Sequence, residues 1–146
     1  MNLPAYLKSV GYIEIPFTVT RVNHIVVDAK INGEHVVLIV DTGASRTWIA
    51  ESCAERLGLT SGRVEEVAVS FALPKTTKAL SKLASLDIGS LHLTDFETWL
   101  VDFSYINMIV QWQGEEFCDG VLGADILIGK SAVIDYKCCK LYLKDA

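Results

Sequence analysis

Long apolar runs are missing from this sequence. Nowhere does it approach the ~18 consecutive apolar residues that a membrane-spanning helix needs, so no membrane partner is expected. Positive charge is also scarce: Lys and Arg number 13 against 18 Asp and Glu, the net charge is −5, and the pI is near 5.1. That balance leaves no electrostatic footprint for nucleic acid or an anionic surface, and no nucleic acid partner is expected. The segment Met1 to Val10 has neither a basic start nor an apolar stretch of signal-peptide length, so a cytoplasmic location is expected.

Metal and thiol chemistry have little to work with. The four cysteines, Cys53, Cys118, Cys138 and Cys139, include no Cys-x-x-Cys pair, and adjacent Cys138 and Cys139 would face opposite sides of a strand. They read as reduced thiols filling space; no metal and no cofactor are expected. The three histidines, His24, His35 and His92, lie in alternating or turn-like stretches, and nothing in the sequence supports a Cys-His or Ser-His pair. No repeat, low-complexity tract or linker divides the chain. With 146 residues, 51% of them hydrophobic, it suits one domain, residues 1–146, with its own core.

What is present is strand after strand. Tyr12 to Val19 alternates as an edge strand interrupted by Pro16. His24 to Ile31 and Glu34 to Val40 form a hairpin about Asn32-Gly33, the pair that a two-residue turn favours. Ile49 to Leu57 has Ala50, Cys53, Ala54 and Leu57 at helical spacing, with Gly58 as a stop. Val64 to Ala72 and Ala79 to Ile88 read as a second hairpin about Pro74-Lys75-Thr76-Thr77, and Phe96 to Phe103 as a further strand. Leu122 ends another strand, and Val133 to Tyr136 with Lys140 to Leu143 close the domain. The class is mainly β with one or two short helices.

The apolar run Val36 to Val40 delivers Asp41-Thr42-Gly43-Ala44-Ser45. Taken alone, Asp-Thr-Gly suits an ordinary turn, since Gly allows positive φ and Asp can bond nearby backbone N–H groups. Context makes it more specific. Far downstream, Asp119-Gly120-Val121-Leu122-Gly123-Ala124-Asp125-Ile126-Leu127 repeats the design of apolar pair, Gly and short helix. The Asp-Thr-Gly itself occurs once. One carboxylate cannot perform two-carboxylate chemistry, so the chain must find a second copy of itself or do something else.

In these features the chain resembles the retropepsin-like aspartic peptidases, single-domain relatives of pepsin that include the retroviral proteases. The resemblance rests on Asn32-Gly33, Val40 to Ser45, Val121 to Leu127, Ala132 to Tyr136 and Leu141-Tyr142-Leu143, landmarks that span most of the chain. It implies a closed β-barrel of the acid-protease type, a single lobe acting as half of a homodimer. It implies an aspartic endopeptidase acting on polypeptide, with Asp41 catalytic through a water held between two such carboxylates. Thr42 would lock the loops across the two-fold axis, and Gly43 would supply the tight turn. Gly123 would be required where its strand passes close beneath the Asp41 loop. Asp125 is expected to cap the short helix and to stay out of the catalytic set.

The sequence departs from the retroviral pattern in several places. A mobile hairpin over the substrate would fall at Val67 to Leu83, yet no glycine lies between Gly62 and Gly89. Ser104 to Phe117 is long and apolar, with Ile106, Met108, Ile109 and Trp112 at helical spacing, and is read as core or dimer packing behind a Ser104 cap. Ala44 has no hydroxyl to offer the outer oxygen of Asp41, where pepsin-like enzymes have one, so a pH optimum less acidic than pepsin's is expected. Two other readings stand beside the peptidase: a non-catalytic dimer of the same fold that binds extended peptides by strand addition, and an unrelated small barrel with a coincidental turn.

Overall fold

The computed structural model describes residues 1–60, 64–68, 75–102 and 118–145, with 64–68, 75–80 and 82–84 described by backbone alone. Alternation dictates its central hairpin. In β3 (Ile25–Ile31) the side chains of Ile25, Val27, Ala29 and Ile31 are buried, and in β4 (Glu34–Val40) those of Val36, Leu38 and Val40. Asn32 and Gly33 join the two with φ of 51° and 84°, the pair of positive values that a type I′ turn requires. The turn is pinned from outside: the Asn32 carboxamide accepts the Ser85 N–H at 3.0 Å and donates to the Leu57 carbonyl at 2.9 Å.

The remaining barrel strands are β5 (Trp48–Ala50), β7 (Lys75–Ile88), β8 (Leu91–Val101) and β9 (Gly120–Leu122). Ladders run β3-β4-β9-β5-β8-β7, and Lys30↔Asp87 and Ile31↔Leu86 pair β7 back onto β3, closing six strands into a barrel. Closure leaves no open edge among those six. Two short strands, β2 (Thr18–Val19) and β6 (Val64–Ala68), extend the sheet outside it beside β3 and β7. Leu38, Ile49, Leu86, Ile88, Leu91, Leu100 and Leu122 fill the interior. A second sheet of three strands, β1 (Tyr12–Pro16), β11 (Lys140–Lys144) and β10 (Val133–Asp135), packs the two ends of the chain together.

Several expectations are corrected in detail. Tyr12 to Val19 is not one edge strand. Pro16 has no N–H to continue a ladder, and the chain changes sheets at buried Phe17, so β1 joins the small sheet and β2 the barrel. Ile49 to Leu57 is not one helix either. Ile49 and Ala50 belong to β5, between β8 and β9, and the Ala50 N–H donates to the Asp119 carbonyl at 2.7 Å. Helix begins only after them, as a 3-10 turn (Glu51–Cys53) and α2 (Ala54–Leu57), which stops at Gly58 with φ 69°. Tertiary pairing here overrides helical spacing.

The strand expected from Phe96 begins at Leu91, turning directly from Ile88 through Gly89 and Ser90. The polar pair Thr94-Asp95 hides this in the pattern, because Asp95 sits at φ 53° and breaks the alternation. The expected second hairpin is present as β6 against β7, Val64↔Ala79 to Ala68↔Lys75, but its turn is not at Pro74-Lys75-Thr76-Thr77: Lys75, Thr76 and Thr77 already belong to β7, paired with Ala68, Val67 and Glu66, and residues 69–74 of the connection lie outside the described residues. A short α1 (Leu3–Ser9) was not anticipated; Asn2 caps it by accepting the Ala5 N–H at 2.9 Å, with Pro4 in its first turn.

The two-ended sheet carries a pH-sensitive contact. Buried Tyr142 donates its hydroxyl to Glu14 Oε1 at 2.9 Å. That bond, foremost among its causes, lowers the Glu14 carboxyl below its ordinary 4.5, while burial first and the carboxylate second push the Tyr142 phenol up to about 12. Because the folded-state value of Glu14 is depressed, the stabilisation is present above the unfolded value and is lost as pH falls through the folded one. Tyr142→Phe is therefore expected to lower the melting temperature at neutral pH, with the deficit shrinking in strongly acidic buffer. Parallel thermal melts of the two proteins at both pH values check it.

Candidate active site

Parallel pairing of β4 with β9, Leu38↔Gly120 to Val40↔Leu122, brings the end of β4 to the edge of the barrel. The Asp41 N–H makes the last bond of this register, donating to the Leu122 carbonyl at 3.0 Å. Beyond it the chain turns sharply. The Ala44 N–H donates to the Asp41 carbonyl at 3.2 Å, and the Gly43 N–H donates to Asp41 Oδ1 at 2.9 Å. This local bond orients the carboxylate. Oδ2 has no hydrogen-bond partner among the described residues, and neither does the Thr42 hydroxyl. Asp41, Thr42 and Gly43 are all exposed, so the structure brings the three expected site residues together on one open loop.

The floor of that loop is built from backbone. A Cβ on Gly123 would collide with the Arg46 carbonyl and lie 2.9 Å from the Thr47 N, so only glycine lets the two segments approach this closely. Gly120 is confined in the same way by the Trp48 carbonyl. Just after Gly123, the Ala124 N–H donates to the Ala44 carbonyl at 2.7 Å, tying the Asp41 loop to the first residue of α3 (Ala124–Gly129).

Thr47 is the polar centre of this floor and is completely buried. Its Oγ1 accepts the Gly123 N–H at 3.0 Å and donates to Asp125 Oδ1 at 2.8 Å. Its N–H donates to the same carboxylate at 3.0 Å, and its carbonyl accepts the Thr98 hydroxyl at 2.8 Å. Asp125 thus does something other than the simple helix cap expected of it. Gly123 is the cap residue of α3 and makes no side-chain cap bond, while the Asp125 carboxylate holds Thr47 and the Ile126 N–H. Nothing in the sequence singles out Thr47, because its partner lies 78 residues away.

A second anchor stands at the start of β9. Asp119 Oδ2 accepts the Val37 N–H at 2.7 Å, and Oδ1 faces Cys53 Sγ and Arg56 Nη2, each at 3.4 Å. Arg56 also donates to the His35 carbonyl at 2.8 Å. Burial first, and then the negative charge of Asp119, push the thiols of Cys53 and Cys118 up, Cys118 to about 11. Held protonated, these two thiols are poor nucleophiles at neutral pH. His35 pairs with Asp28 at 2.7 Å and His92 with Asp87, both at the surface and neither on the Asp41 loop. Among the described residues no cluster of three or more His, Cys, Asp or Glu is arranged to hold a metal ion. The flap candidate, Val67 to Leu83, falls on β6, β7 and their undescribed connection; the Ser104 to Phe117 segment lies wholly outside the described residues.

Comparison with known proteins places this geometry in context. The family model described as aspartyl protease matches residues 27–126, from β3 through the Asp41 loop to α3. The fold is similar to that of a retropepsin-like aspartic protease from Rickettsia conorii, with a TM-score of 0.57 and 22% identity over 91% of this chain and 90% of that one. It is similar to the retroviral protease-like domain of Ddi1 from Leishmania major, with a TM-score of 0.51 and 16% identity over 92% and 91%. The EIAV protease complexed with the inhibitor HBY-793 matches with a TM-score of 0.55 and 16% identity, over 81% of this chain and 98% of that one. No curated protein matches the sequence.

Two substitutions test the floor. Gly123→Ala is expected to cost about 3 kcal/mol, since neither backbone segment can retreat without breaking ladder bonds. Thr47→Val keeps the shape, removes the hydroxyl and strands the Gly123 N–H, for an expected loss of about 1–3 kcal/mol. Urea unfolding of each variant gives both values, and wild-type stability in Gly123→Ala would refute the close approach.

Proposed function

The chain belongs to the aspartyl protease family and is an aspartic-type peptidase; from that premise we propose that it works as a homodimeric endopeptidase in which two Asp41 side chains, one from each subunit, hold the attacking water. The observation that carries this reading is the exposed Asp41 of the one Asp-Thr-Gly in the sequence, with Oδ1 engaged by the Gly43 N–H and with no partner for the neighbouring Thr42 hydroxyl among the described residues. A single lobe has half of the required acid–base pair. A two-fold axis beside the loop supplies the other half and gives each Thr42 hydroxyl a partner across the axis.

The chemistry follows from like charges in close quarters. Two carboxylates about 3 Å apart cannot both ionise, so the pair shares one proton. The ionised Asp41 takes a proton from the water as its oxygen attacks the scissile carbonyl carbon, and the protonated Asp41 gives its proton to the carbonyl oxygen. A tetrahedral diol results, with no acyl-enzyme. Its collapse breaks the C–N bond while a carboxyl delivers a proton to the leaving nitrogen and the other recovers one from the diol. The substrate is an extended polypeptide, with apolar side chains flanking the cleaved bond. We also propose a cytosolic location, which four cysteines outside any disulfide favour.

Incubation with a diverse peptide mixture across the pH range, alongside Asp41→Asn, tests the assignment. The wild type is expected to cut, with an optimum less acidic than pepsin's, and the variant to lose all detectable cleavage while keeping fold and dimer. Cuts that persist in Asp41→Asn would remove Asp41 from the chemistry. Activity confined to strongly acidic buffer would contradict the role assigned to Ala44.

A further inference from the structure

We propose that the adjacent thiols of Cys138 and Cys139 are a reversible oxidation site, closing into a disulfide ring when a peroxide takes two electrons from them. Adjacency on a strand would send the two side chains to opposite faces, but the chain is not strand here. Tyr136 to Cys139 form the turn between β10 and β11, closed by the pairing of Asp135 with Lys140. Cys139 takes φ 54°, a left-handed backbone, so alternation no longer separates the thiols. The turn is held through its main chain: the Cys138 N–H donates to Asp135 Oδ1 at 3.2 Å, and the Cys139 carbonyl accepts the Phe17 N–H at 3.1 Å.

Access divides the four cysteines into two pairs. Cys53 and Cys118 are 8% and 6% exposed and belong to the interior. Cys138 is exposed, and Cys139 is half-buried with its Sγ 3.7 Å from the Tyr136 carbonyl. A peroxide in solution therefore meets Cys138 first. Its sulfur attacks one peroxide oxygen, the O–O bond breaks, and the thiol proton leaves with the departing oxygen as water, giving a sulfenic acid. The Cys139 sulfur then attacks that of Cys138. An S–S bond forms, the S–O bond breaks, and a second water carries off the Cys139 proton. The two thiols have lost two electrons and two protons, and the peroxide has become two waters. Because the resolving thiol is on the next residue, ring closure outruns further oxidation to sulfinic acid. Consecutive Cα atoms stand about 3.8 Å apart, inside the roughly 4.4–6.8 Å of an ordinary disulfide, so the ring is strained and a thiol reductant reopens it.

The test treats the wild-type protein with hydrogen peroxide, quenches it, and alkylates the remaining thiols under denaturing conditions. Cleavage before Asp135 and Asp145 then releases one peptide that carries Cys138 and Cys139 and no other cysteine. That peptide is expected to lose about 2 Da, to take up no alkylating agent, and to recover both thiols in dithiothreitol. Cys53 and Cys118 are expected to be alkylated in full. Cys139→Ser is expected to stop at a sulfenic acid on Cys138, trapped by dimedone, and Cys138→Ser to slow loss of the remaining thiol about tenfold or more. A pair that stays reduced, a sulfinic acid on Cys138, a bond from either thiol to another chain, or earlier oxidation of Cys53 or Cys118 would each overturn the inference. The mapping on wild type decides it whether or not either variant folds.

Discussion

The structure depends on one close approach, the backbone of Gly123 against the Arg46–Thr47 peptide. Here the segment after β9 passes beneath the turn that presents Asp41, at a distance no side chain permits. Because β9 pairs with β4 on one side and β5 on the other, this contact sets the Asp41 loop relative to both halves of the barrel. Thr47 and Asp125 make the contact stable by satisfying the backbone groups it buries, including the Gly123 N–H. An unsatisfied N–H in that position would cost roughly what a lost hydrogen bond costs, so the close packing and the polar network require each other.

Much of this was legible in the sequence because it rests on local chemistry. Asn32-Gly33 encodes a turn by its own φ preferences, the alternation of β3 and β4 follows from one buried face, and Asp-Thr-Gly is a contiguous motif. Gly123 was readable because its neighbours form a second motif. What escaped depends on partners distant in sequence. Thr47 looks like any loop threonine until Asp125 and Thr98 close around it. Ile49 and Ala50 fit a helix by spacing but are strand, since β8 and β9 leave a gap between them that only an extended segment fills. The Ile88–Leu91 turn was hidden because Asp95 takes a positive φ and destroys the alternation on which strand reading relies.

The site's exposure follows from the same economy. Among the described residues nothing of the six-strand barrel covers the Asp41 loop, so Asp41 and Thr42 are both exposed. Rigid support beneath and an open face above is the arrangement expected of half a site. The floor positions the carboxylate in advance; in the proposed dimer, assembly would provide what the floor cannot: a second carboxylate, a partner for Thr42 and exclusion of water. On the two-carboxylate reading proposed above, catalytic power and dimer formation are coupled, and activity would depend on concentration through the dimer equilibrium.

The claim that both carboxylates of a dimer act on one bond is tested most directly by subunit mixing. Wild-type chain is equilibrated with increasing fractions of Asp41→Asn at constant total concentration, and the initial cleavage rate is recorded. If each active site needs one Asp41 from each subunit, the rate falls as the square of the wild-type fraction, because mixed dimers are dead. A rate that falls in direct proportion to that fraction, with subunit exchange verified, would mean that one Asp41 suffices, and the account would be wrong.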